Sequence, residues 1–218
     1  MLIFGTGLLL ISTSWVQSGI LKQFTQNFKE ATNQEITFDK IRLQWNGKLE
    51  LTDIFIGDHH SDTLAFIQKI QTSFQDFKKL QQNDFNLNRL DITGVYLNIK
   101  KYTDEEAHSL KVLVEKLKRE SENQNKAILN VGQVDLHDAK FSYNDLNTSR
   151  KPILVDSLDI SAEYLNFTAD SLTLQLNALE GKLQSPFQKQ INTNAAVVYS
   201  PGNLHLEEWS LSFDKSRI

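Results

Sequence analysis

The side chains best suited to chemistry lie in one run, Asp58-His59-His60-Ser61-Asp62. Imidazole and carboxylate are proper ligands for zinc or iron. The spacing argues against a closed site, because neighbouring residues on a strand point to opposite faces and would part His59 from His60. No distant His-x-x-His supplies further ligands. The run therefore reads as a polar loop between strands with Asp62 capping the turn, and no metal ligand is assigned. His108, His137 and His205 fall on polar positions of their own patterns and are expected at the surface. The chain carries no Gly-x-Ser-x-Gly, phosphate loop or dinucleotide fingerprint, and Gly132 and Gly181 stand alone. Carboxylates are scattered on polar phases. No catalytic residue and no cofactor are assigned, and the chain is not expected to be an enzyme.

What positions these side chains is a folded, β-rich body. The chain has 218 residues, 40% hydrophobic and 23% charged, too apolar for a disordered polymer and long enough for one large domain or two small ones. A net charge of −4 leaves no basic footprint, which argues against nucleic acid as a partner. Cysteine is absent, which removes disulfides, thiolate metal sites and Cys nucleophiles together.

The first charged side chain is Lys22. The uncharged stretch 1–21 would reach roughly 31 Å as a helix, about one hydrocarbon core, and is expected to be an uncleaved single-pass anchor. A cleaved signal peptide is the alternative, since Leu2–Ile11 suits its apolar region and Ser12-Thr13-Ser14 is small-x-small. The anchor is favoured because the apolar pattern runs on into an amphipathic helix over 16–33, with Val16, Ile20, Leu21, Phe24 and Phe28 on one stripe. An ordinary core helix would show the same stripe.

From residue 34 to 218 the pattern is strands, built on one template: apolar, any, apolar, any, any, apolar, any, apolar. The copies are Ile36, Phe38, Ile41, Leu43 and Trp45; Leu49, Leu51, Ile54 and Ile56; and Leu90, Ile92, Val95, Leu97 and Ile99. They continue with Val134, Leu136, Ala139, Phe141 and Tyr143; Ile153, Val155, Leu158, Ile160 and Ala162; and Leu204, Leu206, Trp209, Leu211 and Phe213. Weaker copies cover Ala65–Phe74 and Leu174–Leu183. One extra residue would throw half of each strand onto the wrong face, unless a β-bulge absorbs it. Asp53, Gly94, Asp138 and Glu208 sit in the offsets, and Gly and Asp tolerate the backbone a bulge or tight bend requires. Two short strands joined by a turn would give the same spacing. Periodic repetition points to an elongated, stacked architecture. The apolar face must be covered by a second sheet, as in a sandwich, or left inside a curled trough.

Asp104–Asn125 is the strong helix signal within the body. Asp104, Glu105 and Glu106 suit its N-terminal end, Lys116, Lys118 and Arg119 its C-terminal end, and Leu110, Leu113, Val114 and Leu117 form a stripe. It reads as an insertion shielding one edge or the mouth of the sheet. A further helical turn over Gln75–Gln82 is a weaker signal.

Together these features resemble the N-terminal region of TamB-like proteins of the Bacteroidota type, within the AsmA-like, repeating β-groove group. The resemblance rests on the anchor running into Val16–Phe28, on Ile36-Thr37-Phe38-Asp39-Lys40-Ile41, and on Gly47-Lys48-Leu49-Glu50-Leu51-Thr52-Asp53-Ile54. Most specifically, Gly57-Asp58-His59-His60-Ser61-Asp62-Thr63-Leu64 is similar to the family's Asp-His-His-x-Asp-Thr-Leu segment. It covers the whole chain but only the beginning of the longer family architecture. It implies a mainly β fold: an inner-membrane helix, then a curled antiparallel β-groove (a β-taco) in the periplasm with one inserted amphipathic helix. It further implies movement of phospholipid between inner and outer membranes or, alternatively, assembly of outer-membrane proteins with a barrel partner. The groove-lining set takes Phe38, Ile41 and Leu43 from the first copy and all of the second and third. Leu136, Phe141, Leu158, Ile160, Leu206, Trp209, Leu211 and Phe213 complete it.

Overall fold

The computed structural model describes residue 22 and residues 25–44, 48–74, 84–121, 128–168, 171–185, 189–200, 203–213 and 216–217. The expected anchor over 1–21 and the helical turn over 75–82 lie outside these residues. No helix among the described residues is long and apolar enough to cross a membrane.

The chain is mainly β. Its strands are β1 (Ile36–Thr37), β2 (Lys40–Leu43), β3 (Lys48–Gly57), β4 (Thr63–Phe74), β5 (Asp84–Lys101) and β6 (Ile128–Asp145). They continue as β7 (Ile153–Phe167), β8 (Leu172–Ser185), β9 (Lys189–Ser200), β10 (Asn203–Phe213) and β11 (Ser216–Arg217). All eleven described strands form one sheet in the order β1-β3-β4-β5-β6-β7-β8-β9-β10-β11, with β2 also paired to β3. Helix α1 covers residues 25–32, and helix α2 is Ser109–Ser121. Asn33 ends α1 in the left-handed conformation (φ 52°), its N–H donating to the Lys29 carbonyl, a common C-terminal stop.

The sheet is mixed, not antiparallel throughout. β5 and β6 run parallel, from Asp84 beside Ile128 to Lys101 beside Asp145. Parallel neighbours need a crossover, and α2 supplies it. The helix expected to shield an edge or the mouth of the sheet thus also lies in the link between two strands that pair in parallel. It is also shorter than the charge pattern suggests. Asp104 takes φ 64° in a turn, and the helix starts only at Ser109, so the acidic residues precede it. His108 is its cap: the Nδ1 atom accepts from the Lys111 N–H and the carbonyl from the Val112 N–H. Leu113 is buried, whereas Val114 and Leu117 are exposed, so only part of the stripe is used.

The template's offset has a structural form. Asp53, Gly94, Asp138 and Ser157 all have positive φ, between 49° and 66°. Isolated bulges would shift the register, yet from β3 to β6 it is unbroken at this level. Thr52 pairs with Lys69 and Ile54 with Ile67, Lys69 with Thr93 and Ile67 with Val95, and Thr93 with His137 and Tyr96 with Lys140. β3, β5 and β6 place Asp53, Gly94 and Asp138 at the same height, so their bends add into a line across this part of the sheet. The copies in β3, β5, β6, β7 and β10 are single strands. The first copy is instead two, β1 and β2, broken at Phe38-Asp39 and both paired with β3.

A second phase switch lies towards the other end. Leu87, Val131 and Leu165 are partners, as are Leu90, Val134 and Ala162, three residues further along. Tyr164, with φ 53°, lies at this switch in β7.

Candidate functional site

One end of the sheet gathers three loops. β3 enters the turn 58–62, β5 leads into 102–108, and β6 into 146–152. The buried Asp58 carboxylate organises the first: its Oδ1 accepts the His60 and Asp62 N–H groups at 2.8 and 2.9 Å. Its Oδ2 accepts the Tyr102 hydroxyl at 2.6 Å, binding this turn to the end of β5. Asp62 is held by the Lys100 ammonium at 2.8 Å and lies 2.9 Å from the Tyr102 hydroxyl. The Asn147 amide ties in the third loop, donating to the Tyr102 carbonyl and accepting from the Asp104 N–H.

Inside this frame His59, His60 and Glu105 meet. His59 Nε2 lies 2.9 Å from Glu105 Oε2, and His60 Nε2 lies 2.7 Å from Glu105 Oε1. The expectation that adjacent histidines diverge is overturned, because residues 58–62 form a turn rather than a strand. The two imidazole centroids are 4.6 Å apart, and the His60 ring packs on Tyr102 at 3.8 Å. The missing third ligand is also present: Glu105 arrives from far along the chain through the β5–α2 loop. Its sequence signal, an acidic run before a helix, was legible as a helix start and nothing more. His59 is well covered, Glu105 and His60 progressively less. Among the described residues His59 Nδ1 is buried with no hydrogen-bond partner, so with Nε2 facing a carboxylate the neutral ring carries its proton on Nε2.

The electrostatics follow. The hydrogen bonds from His60 and then His59 hold the Glu105 carboxyl below its ordinary value. Lys100, followed by the Tyr102 hydroxyl, does the same for Asp62. Burial, then donation to Asp58 and Asp62, pushes the Tyr102 phenol up. Of the other histidines, His137 is exposed 3.6 Å from Asp159, and His205 is exposed. His108 departs from its expected surface position: it is half-buried at the head of α2, and burial, then Lys111, lowers its pKa.

The apolar phase forms continuous rows. Ile41, Leu51, Ile70, Ile92, Leu136, Ile160 and Leu179 are successive partners from β2 to β8. Beyond the bend line, Ile36, Ile56, Ala65, Leu97, Phe141, Val155 and Leu183 form another. Of the expected lining residues, Ile54 and Ile99 are buried, Ile99 on the strand that α2 packs against. Phe38, Ile41, Leu49, Leu51, Ile56, Leu90, Ile92, Val95, Leu97, Leu136, Phe141, Leu158 and Ile160 are half-buried. Leu206 and Trp209 are exposed. Leu43, Leu211 and Phe213 lie in strands, their side chains outside the described set.

The opposite face carries Arg42 on Glu50, Gln71 on Glu50, and Arg89 between Asp91 and Asp135. No protein-family model matches this chain, and no curated protein matches it.

Proposed function

We propose that the sheet is a trough for the acyl chains of phospholipid in a membrane-anchored, TamB-like protein of the AsmA-like group, working in the periplasm between two membranes. The observation that carries this reading is the state of the apolar rows. Residues such as Leu51, Ile92, Leu136 and Ile160 are shielded by their sheet neighbours but remain partly open. A sandwich would bury them under a second sheet, and the described strands all belong to one. Removing a chain of about sixteen methylenes from a bilayer into water costs roughly 13 kcal/mol at about 0.8 per CH₂. A continuous apolar row offsets that cost along the whole path.

The test uses photo-crosslinking residues in the full chain at Leu97, Leu136 and Ile160, and on the opposite phase at Thr52, Tyr96 and Lys140. Crosslinks to radiolabelled phospholipid from the first set alone, with transfer between vesicles cut at least tenfold by Leu136→Asp in a folded protein, support the trough. Lipid crosslinks from the polar phase alone, or full transfer with the charge in place, overturn it. Crosslinks to unfolded outer-membrane proteins instead of lipid would favour an assembly role.

A further inference from the structure

Beyond the trough, and independent of it, the geometry points to a zinc-type divalent cation site formed by His59 Nε2, His60 Nε2 and the Glu105 carboxylate. Three donor atoms from these residues lie within 4.8 Å of one another. A tetrahedral zinc with bonds of about 2.0–2.1 Å sets its donors about 3.3 Å apart. The present N–O separations of 2.9 and 2.7 Å would open by about 0.5 Å, and a donor pair as far apart as 4.8 Å would close by about 1.5 Å, to admit the ion. Two imidazoles and one carboxylate suit zinc and its transition-metal neighbours, and disfavour magnesium and calcium, which take oxygen ligands. On binding, the imidazole N–H contacts to the carboxylate give way to one ion, and a fourth position faces solvent on the exposed His60 side.

Three features make the set more than a chance meeting. The His60 main chain is fixed by Asp58 and its ring by Tyr102, so its nitrogen is aimed before any ion arrives. The neighbouring carboxylates are already engaged, Asp58 by Tyr102 and Asp62 by Lys100, which leaves Glu105 as the acidic ligand. The ligands also come from two loops, so an ion would clip the β3–β4 turn to the start of the crossover. Strong sites give each ligating imidazole an acceptor for its second nitrogen. His59 Nδ1 has none among the described residues, which sets the expected affinity about 10–100-fold below that of a fully supported site.

The experiment is calorimetric titration of the metal-free full chain with Zn²⁺, repeated in excess Mg²⁺, with Co²⁺ absorption reporting coordination geometry. One Zn²⁺ per chain, unaffected by Mg²⁺ and weakened at least tenfold in both Glu105→Gln and His60→Asn, is the expected result. Circular dichroism of each variant checks that it remains folded, and His137→Ala, remote from the cluster, should bind as the parent does. Absence of saturable Zn²⁺ binding, unchanged binding in folded Glu105→Gln, or loss of binding in His137→Ala would each overturn the assignment.

Discussion

The same template builds two unlike halves. From β1 to β6 the sheet carries both helices and the three-loop cluster, and its buried apolar side chains include Ile36, Ile54, Leu64, Leu87, Ile99 and Val131. From β7 onward the buried apolar residues among those described are Ala162 and Ala195, both small. Tyr164, Phe167, Val198, Leu206 and Trp209 are exposed there. Register tells the same story: β3 to β6 hold theirs across the bend line, whereas β7 and β8 slip at several points. An amphipathic repeat does not by itself make a core. It makes a surface, which becomes core only where helices and loops are laid over it.

The sharpest way to break this contrast is to cut equivalent side chains in each half. Leu64→Ala, at a residue 1% exposed, should cost about 3 kcal/mol in urea unfolding. Leu206→Ala, at a residue 42% exposed, should stay within about 0.5 kcal/mol. Equal losses would mean that both halves are packed alike. Next in size is Asp58→Ala, which strands two turn N–H groups and leaves the Tyr102 hydroxyl with Asp62 alone, an expected loss of about 2 kcal/mol. A loss near zero would show that the loop cluster decorates the first half without stabilising it.

Gly94→Ala tests the bend line. At φ +66° a side chain costs about 1–2 kcal/mol, and the new Cβ would meet the Gln68 Cβ at 2.8 Å. Asp138→Gly, in the same line at φ 51°, should be neutral or mildly stabilising, a difference of sign that urea midpoints can read.

The smallest effect is pH-dependent. His108 has a lowered folded-state pKa, so the unfolded chain binds the proton more readily. Its contribution is present above the ordinary histidine value of about 6.5 and is lost as pH falls through the folded value. Protonation also removes the lone pair that caps α2. The protection of the α2 amides, corrected for the intrinsic pH dependence of exchange, should therefore fall between about pH 7 and pH 5, and His108→Ala should abolish that dependence. A pH response confined to β7–β10 would contradict it.

The alternation of apolar residues made the strands legible, and the Asp and Gly residues in the offsets marked where the backbone turns left-handed. Their alignment into one line was not legible, since spacing within a strand says nothing of its height beside the next. The second switch hid because Leu87 to Leu90 and Val131 to Val134 fall outside the template's reach. Strand direction was equally silent: a residue's face is the same whichever way its neighbour runs, and only the long helical link between β5 and β6 hinted at a crossover. The cation-type cluster was half visible. His59 and His60 announce themselves, but Glu105 joins them only after β4 and β5 have paired.

That parallel seam has a consequence for how the chain acquires its shape. The meander β3–β4–β5 can zip from local hairpins, each strand meeting the one just made. β6 cannot follow β5 that way, because its first residue must travel back along the full strand before Ile128 can reach Asp84. Closing that loop costs entropy before any ladder bond repays it, so the seam is the expected slow step. Until it closes, β5 offers an unmatched edge of main-chain donors and acceptors, open to another chain. The interval between finishing β5 and seating β6 is therefore when a nascent molecule is most exposed to aggregation, and a variant that delays α2 would lengthen it without touching the finished fold.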